Sequence, residues 1–220
     1  MKADAAKKRT RRADGEVVAV KIVVIGATGT IGKAVAEALA GRHEVVRVSR
    51  GGPVKADIED SASLARMFEA VKDVDAVVCC AGSAVFKPLA QLTDADFQAS
   101  LRSKLMGQVN LVRTAMQHVR DGGSITLTSG VLAREPLPGG AAISLVNAAV
   151  EGFVTGAAIE LPRGLRVNVV SPPWISETLV ALKMDPKGGI PAAACAKAYV
   201  AAVEGTDRGR TIDARQYARG

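Results

Sequence analysis

The sequence predicts an α/β fold, a three-layer doubly wound parallel sheet in a single domain. Three observations predict it. Short β-branched runs alternate with stretches whose apolar residues recur at helical spacing. A glycine cluster stands between the first such strand and the first such helix. The 220-residue chain is 48% hydrophobic but only 3% aromatic, so its core must rest on close contacts between small aliphatic side chains.

The elements follow in order. Residues 17–25 form a β-branched run that ends at Gly26 and reads as a buried strand. Ile31, Ala34, Val35, Ala38 and Leu39 recur at helical spacing, and Gly41 stops that helix. Residues 44–48 form the second strand, and a further strand is expected before Asp57. Residues 61–71 form a helix with Leu64, Phe68 and Val71 on one face, and residues 75–80 another buried strand. One long helix is expected over 94–118, with a stripe of Leu101, Leu105, Val109, Val112 and Met116. Gly122 and Gly123 turn into a strand at 124–128. A helix over 144–161 turns Val146, Val150, Phe153 and Ala157 inward and is broken by Pro162-Arg163-Gly164. A strand at 165–170, a last helix over 192–203 and a short edge strand at 210–213 complete the series. Crossovers should be right-handed. Neither a repeat nor a linker divides the chain.

Charge and cysteine usage bound the setting. The net charge is +7, and part of it sits in residues 1–16, where Lys2, Lys7, Lys8, Arg9, Arg11 and Arg12 outnumber Asp4, Asp14 and Glu16. This segment is expected to be a basic, disordered tail, with the domain over 17–220. Its charges lack interleaved aromatic residues, so nucleic acid is not an expected partner. Cys79, Cys80 and Cys195 do not make a disulfide framework and point to a reducing, cytoplasmic setting. No apolar run is expected to span a membrane, and no signal peptide is visible. His43 and His118 read as surface residues, and no metal-ligand cluster is expected.

The glycine cluster carries the main chemical signal. Gly26-Ala27-Thr28-Gly29-Thr30-Ile31-Gly32 lies between a strand and a helix. Glycines permit a tight turn and a close backbone approach to a pyrophosphate, and the helix start offers free N–H groups. Thr28 and Thr30 add hydroxyl donors. The second strand ends at Ser49-Arg50, with no acid to accept from a ribose 2′-hydroxyl. A guanidinium there attracts a 2′-phosphate, which favours NADP. Asp57 is placed to accept from the adenine amino group.

With these pieces in place, the chain resembles the short-chain dehydrogenase/reductase family, whose Rossmann-type domain binds a nicotinamide dinucleotide. The matching segments are the glycine loop, Asp57-Ile58, Cys80-Ala81-Gly82, residues 124–129, the helix from Ser144, and Arg166-Val167-Asn168-Val169-Val170-Ser171-Pro172. The resemblance implies cofactor contacts from Gly26, Thr28, Gly29, Thr30, Ile31, Ser49 and Arg50. It extends them to Asp57, Ile58, Cys80, Ala81, Gly82, Asn147, Pro172 and Ile175. Family members usually carry an Asn, Ser, Tyr and Lys catalytic set. Aligned without gaps, those positions hold Lys104, Gly130, Ile143 and Asn147. Isoleucine has no proton to give. Ser129 is the serine one residue away, and Lys104 is placed to contact the ribose or to act as the acid, so these two are the catalytic candidates. Apolar residues Val85, Phe86, Leu132, Ile143, Trp174 and Ile175 are expected around the substrate.

Two functions follow. One is an NADP-dependent oxidoreductase acting on a small carbonyl or alcohol by a non-standard proton route. The alternative is an inactive NADP-binding sensor or partner-binding protein. Nucleic-acid binding would rest on the tail alone. The resemblance also implies a homodimer or homotetramer, paired through the helices over 94–118 and 144–161.

Overall fold

The computed structural model describes residues 18–218, so the tail expected at residues 1–16 lies outside the described residues. The chain runs β1 (Lys21–Ile25), α1 (Thr30–Ala40), β2 (Glu44–Ser49), β3 (Val54–Lys55), α2 (Ser61–Ala70) and β4 (Ala76–Cys79). It continues through α3 (Asp94–Ser100), a π-helical stretch (Leu101–Met106), α4 (Gly107–His118), β5 (Ser124–Thr128) and α5 (Ala141–Glu160). β6 (Arg166–Ser171), α6 (Ser176–Ala181), α7 (Ala192–Glu204) and β7 (Thr211–Asp213) follow. The strands pair in parallel in the order β3-β2-β1-β4-β5-β6-β7.

The strand sequences explain this arrangement. β4, β5 and β6 are buried along their whole length, as a parallel sheet covered on both faces requires. Successive side chains point to opposite layers. Val23, Ile25, Val77, Cys79, Ile125, Leu127, Val167 and Val169 join Leu64, Phe68, Leu111, Val112, Val150 and Val154 of α2, α4 and α5. Ile22, Val24, Ala76, Val78 and Val170 join Val35, Leu39, Cys195 and Tyr199 of α1 and α7. Alanines at 36, 196, 198 and 202 in that second layer are fully buried and let α1 and α7 approach closely.

Several local expectations are corrected. The helix expected over 94–118 contains a π-helical stretch, where Gly107 N–H donates to Arg102 O across five residues. The added residue rotates the buried face. Ser103, Gly107, Gln108, Leu111, Val112 and Ala115 lie inside, and of the expected stripe only Val112 is fully buried. His43 is buried, not superficial: its Nε2 meets Glu204 Oε1 at 3.1 Å. His118 is exposed and stacks on Phe68. Helix α5 is long and apolar enough to cross a membrane by length and composition, with mean hydropathy 1.5. Here it lies along the sheet, burying Val146, Asn147, Val150 and Val154.

Gln108 couples the π-helical stretch to the sheet. Its Nε2 donates to Lys104 O and Thr128 O, each at 2.9 Å, and its Oε1 accepts from Thr128 N–H at 2.8 Å. Thr128 Oγ1 donates to Cys79 O at 2.6 Å and meets Tyr199 Oη at 2.8 Å. A fully buried amide so satisfied is costly to remove, because it leaves unmade bonds behind. Gln108→Leu should therefore lower unfolding free energy by roughly 2–4 kcal/mol in urea titration. Beyond the carboxyl end of β1, a Cβ on Gly32 would stand 2.1 Å from Gly26 O, whereas one on Gly41 meets nothing within 4 Å. Gly32→Ala should destabilise by about 1–3 kcal/mol or more. Gly41→Ala, at φ −68°, should instead stabilise by about 0.4–1 kcal/mol.

Candidate functional site

The order of the strands reverses between β1 and β4, and a crevice opens at the carboxyl ends of such strands. β1 ends at Gly26, whose φ of +81° suits glycine. Its N–H donates to Val48 O at 2.9 Å, and Gly29 N–H returns to Gly26 O at 3.0 Å. Helix α1 starts directly after this turn with no side-chain cap on Gly29. Its first N–H groups are left for a ligand, with the positive end of the helix dipole behind them.

A cleft of about 330 Å³ lies over this turn. The structure brings Gly26, Thr28, Gly29, Ser49, Arg50, Asp57, Ile58, Cys80, Ala81 and Gly82 together around it. Thr30 and Ile31 do not line it. They form the first turn of α1, where Thr30 is exposed and Ile31 packs toward the α1–α7 layer. Among the described residues the Arg50 guanidinium makes no close ion pair, although its charge acts on the Glu59 carboxyl across the cleft. Asp57 Oδ1 accepts from Glu59 N–H at 3.0 Å, which shapes the turn below the cleft. Burial pushes the Cys80 thiol far up, so it stays protonated at neutral pH.

A second cavity, of about 220 Å³, adjoins the first at Gly82. Lys104, Ser129, Asn147, Pro172 and Ile175 line it, together with Gly130, Leu132, Ile143 and Trp174. Thus all four positions at which the resemblance expects a catalytic side chain face one space. Phe86 meets Trp174 edge-on at 6.3 Å. Val85 serves differently, its N–H donating to Ser100 Oγ at 3.0 Å.

The polar groups of this cavity differ in how they are occupied. Ser129 Oγ donates to Glu151 Oε1 at 2.8 Å, Arg134 pairs with Glu151 Oε2, and Arg134 Nη2 donates to Ser171 Oγ at 3.0 Å. Ser129 thus lines the cavity with its hydroxyl hydrogen engaged by a carboxylate. Asn147 is 2% exposed and its Oδ1 has no partner. A side chain on residue 130 would begin 2.8 Å from Asn147 Nδ2, so glycine there makes room for the asparagine. Lys104 Nζ has no partner among the described residues. Burial holds its pKa below the usual lysine range. Tyr199 lines neither cavity. It lies buried between the sheet and α7, and burial raises its pKa well above normal.

Some lining residues carry little signal in sequence. Glu59, Ser83 and Ser103 border the first cavity and Thr178 the second. Arg102, at 2.9 Å from Glu59 Oε2, holds that carboxyl below its usual range. Glu151 lies four residues after Asn147, on the same helix face. That spacing is the one sequence signal that points to its place beside Ser129.

The residues present fit a nicotinamide dinucleotide. The glycine turn packs backbone on backbone, since a Cβ at position 26 or 32 would strike the chain at Cys80–Ala81 or at Gly26, and at Gly29, which lines the cleft, a Cβ would meet only Gly26 O at 3.4 Å. The orphaned Asn147 Oδ1 is an acceptor suited to a ribose hydroxyl. Among the described residues no His, Cys, Asp or Glu group is arranged to hold a metal ion.

Known proteins share this architecture. A family model described as Enoyl-(Acyl carrier protein) reductase matches residues 17–202. A hydroxynaphthalene reductase-like protein, Arp2 of Metarhizium brunneum, is 35% identical over 130 residues, 56% of this chain and 49% of that protein. The chain thus spans about half the length of that relative. A crystal structure of a Listeria innocua protein superposes with a TM-score of 0.84 at 40% identity, covering 89% of this chain and 99% of that one. A small-chain dehydrogenase solved in complex with NADPH superposes with a TM-score of 0.77 at 27% identity, covering 89% and 96%. With its fold, its glycine turn and a family match over residues 17–202, this chain belongs to the short-chain dehydrogenase/reductase family of oxidoreductases.

Proposed function

We propose that this protein is an NADP-dependent oxidoreductase of a small carbonyl compound or alcohol, in which Lys104 replaces the usual phenolic acid. The observation that carries this reading is the meeting of the two cavities at Gly82, with the glycine turn and Arg50 on one side and Lys104 on the other. The NADPH complex of the 27% identical dehydrogenase supports the choice of cofactor.

Each residue has a defined task. The glycine turn and the start of α1 take the pyrophosphate. Ser49 and Arg50 take the 2′-phosphate. Asn147 takes a ribose hydroxyl. The cofactor, when bound, supplies or receives hydride. In reduction, Lys104 Nζ gives a proton to the carbonyl oxygen and recovers one from solvent. Its lowered pKa narrows the gap to neutral pH and so favours general acid work. Leu132, Ile143, Pro172 and Trp174 exclude water around that transfer. Ser129, whose hydroxyl donates to Glu151, ties α5 to the end of β5 and faces the same cavity as Lys104.

The outer face of α5 supports self-association. Leu145 and Ile159 are exposed there, and a Cβ at Gly152 or Gly156 would meet nothing within 4 Å. A homodimer or homotetramer paired through this helix is the proposed assembly, and light scattering should show Gly152→Arg shifted toward monomer.

Binding and turnover test the two halves of the reading separately. Arg50→Ala should weaken NADPH binding about 10- to 100-fold and leave NADH nearly unchanged. Lys104→Met should keep NADPH affinity within about twofold and lower kcat by about 10²–10⁴ on a responsive carbonyl. NADPH binding without turnover across a broad carbonyl panel would replace this reading with the sensor or partner-binding alternative.

A further inference from the structure

The second cavity contains a cation with nothing to balance it. Lys104 reaches it from the π-helical stretch, and among the described residues no carboxylate pairs with Nζ. The nearby acids are occupied. Glu151 holds Ser129 and Arg134, and Glu177 accepts from Ala192 N–H at 3.1 and 3.0 Å. Most of the remaining wall is apolar, led by Leu132, Ile143, Trp174 and Ile175. Lys104 is half-buried, so its unpaired ammonium is only partly hydrated and carries part of the cost of a buried charge. Gln108 nevertheless fixes its backbone in place through Lys104 O.

That cost is relieved when an anion enters. An ammonium has three donors and no acceptor, so one Lys104 can bond a carboxylate and an adjacent carbonyl oxygen together. The volume of about 220 Å³ is below the usual range for ligand pockets and suits a single substituted ring. Trp174, with Phe86 edge-on behind it, offers that ring a flat apolar wall.

We infer that this cavity selects ring-sized carbonyl compounds bearing an anionic oxygen beside the carbonyl, with aryl α-keto acids as the matching class. The inference rests on the reading of this cavity as the substrate end. A neutral ketone leaves the Lys104 charge unbalanced, and a cationic substrate is repelled by it. The competing source of negative charge is the phosphate of a dinucleotide in the adjoining cleft.

Calorimetric titration of the full chain with benzoylformate and with its neutral amide, benzoylformamide, tests this. It is run without cofactor and again with saturating NADPH. The acid should bind at least about tenfold more tightly than the amide in both conditions. Lys104→Met should erase that preference and Lys104→Arg should retain it, with thermal melting confirming that both variants fold. Equal affinities in the wild type, or a preference that survives in Lys104→Met, would overturn the inference. So would a preference that disappears once NADPH is bound, because the ammonium would then serve the dinucleotide. NADPH affinity is measured in its own titration, so failure of the cofactor reading is seen separately from failure of the acid preference.

Discussion

The close approach of α1 to the end of β1 is the constraint on which the rest of the structure depends. A Cβ on Gly32 would lie 2.1 Å from Gly26 O, so the helix can begin there only with glycine at that position. This fixes the start of α1 over the strand reversal between β1 and β4. Everything proposed for the site follows from that placement. The free N–H groups of α1, the end of β2 with Ser49 and Arg50, and the end of β4 with Cys80 and Ala81 border one cleft. The sheet would tolerate other packing on its outer surfaces, but this turn would not.

The substrate end depends on a different balance. A cavity whose wall is mostly apolar, with an unpaired ammonium in it, is poor for stability and useful for chemistry. Gln108 fastens the π-helical stretch to β5 through Thr128, which holds the Lys104 backbone in register. Glu151, paired with Arg134, accepts from the Ser129 hydroxyl. Glycine at 130 gives Asn147 its space. Together they leave the Lys104 ammonium unpaired, among the described residues, in a cavity that meets the glycine-turn cleft at Gly82.

Much of this was legible from residues alone, for physical reasons. β-branched runs ending at glycine marked the strands because burial on both faces permits little else. β5 falls at the expected residues 124–128. The glycine turn was legible because its spacing is set by backbone contact. The π-helical stretch was not, since one additional hydrogen-bonded step leaves no mark in composition, and it moved the buried face from Leu101 and Val109 to Ser103 and Gln108. His43 was misplaced for a similar reason. Its partner Glu204 lies 161 residues away, beyond any local pattern. The four aligned positions did converge on one cavity, but the capture of Ser129 by Glu151 is a tertiary fact.

The central claim is that Lys104, beside a bound dinucleotide, supplies the proton that the absent phenol cannot. Chemical rescue tests it most directly. With saturating NADPH and a carbonyl substrate turned over by the wild type, Lys104→Ala should be nearly inactive. Added ethylamine should restore turnover in proportion to its concentration, without affecting the wild type. A Lys104→Ala variant as active as the wild type in the absence of amine would contradict the account.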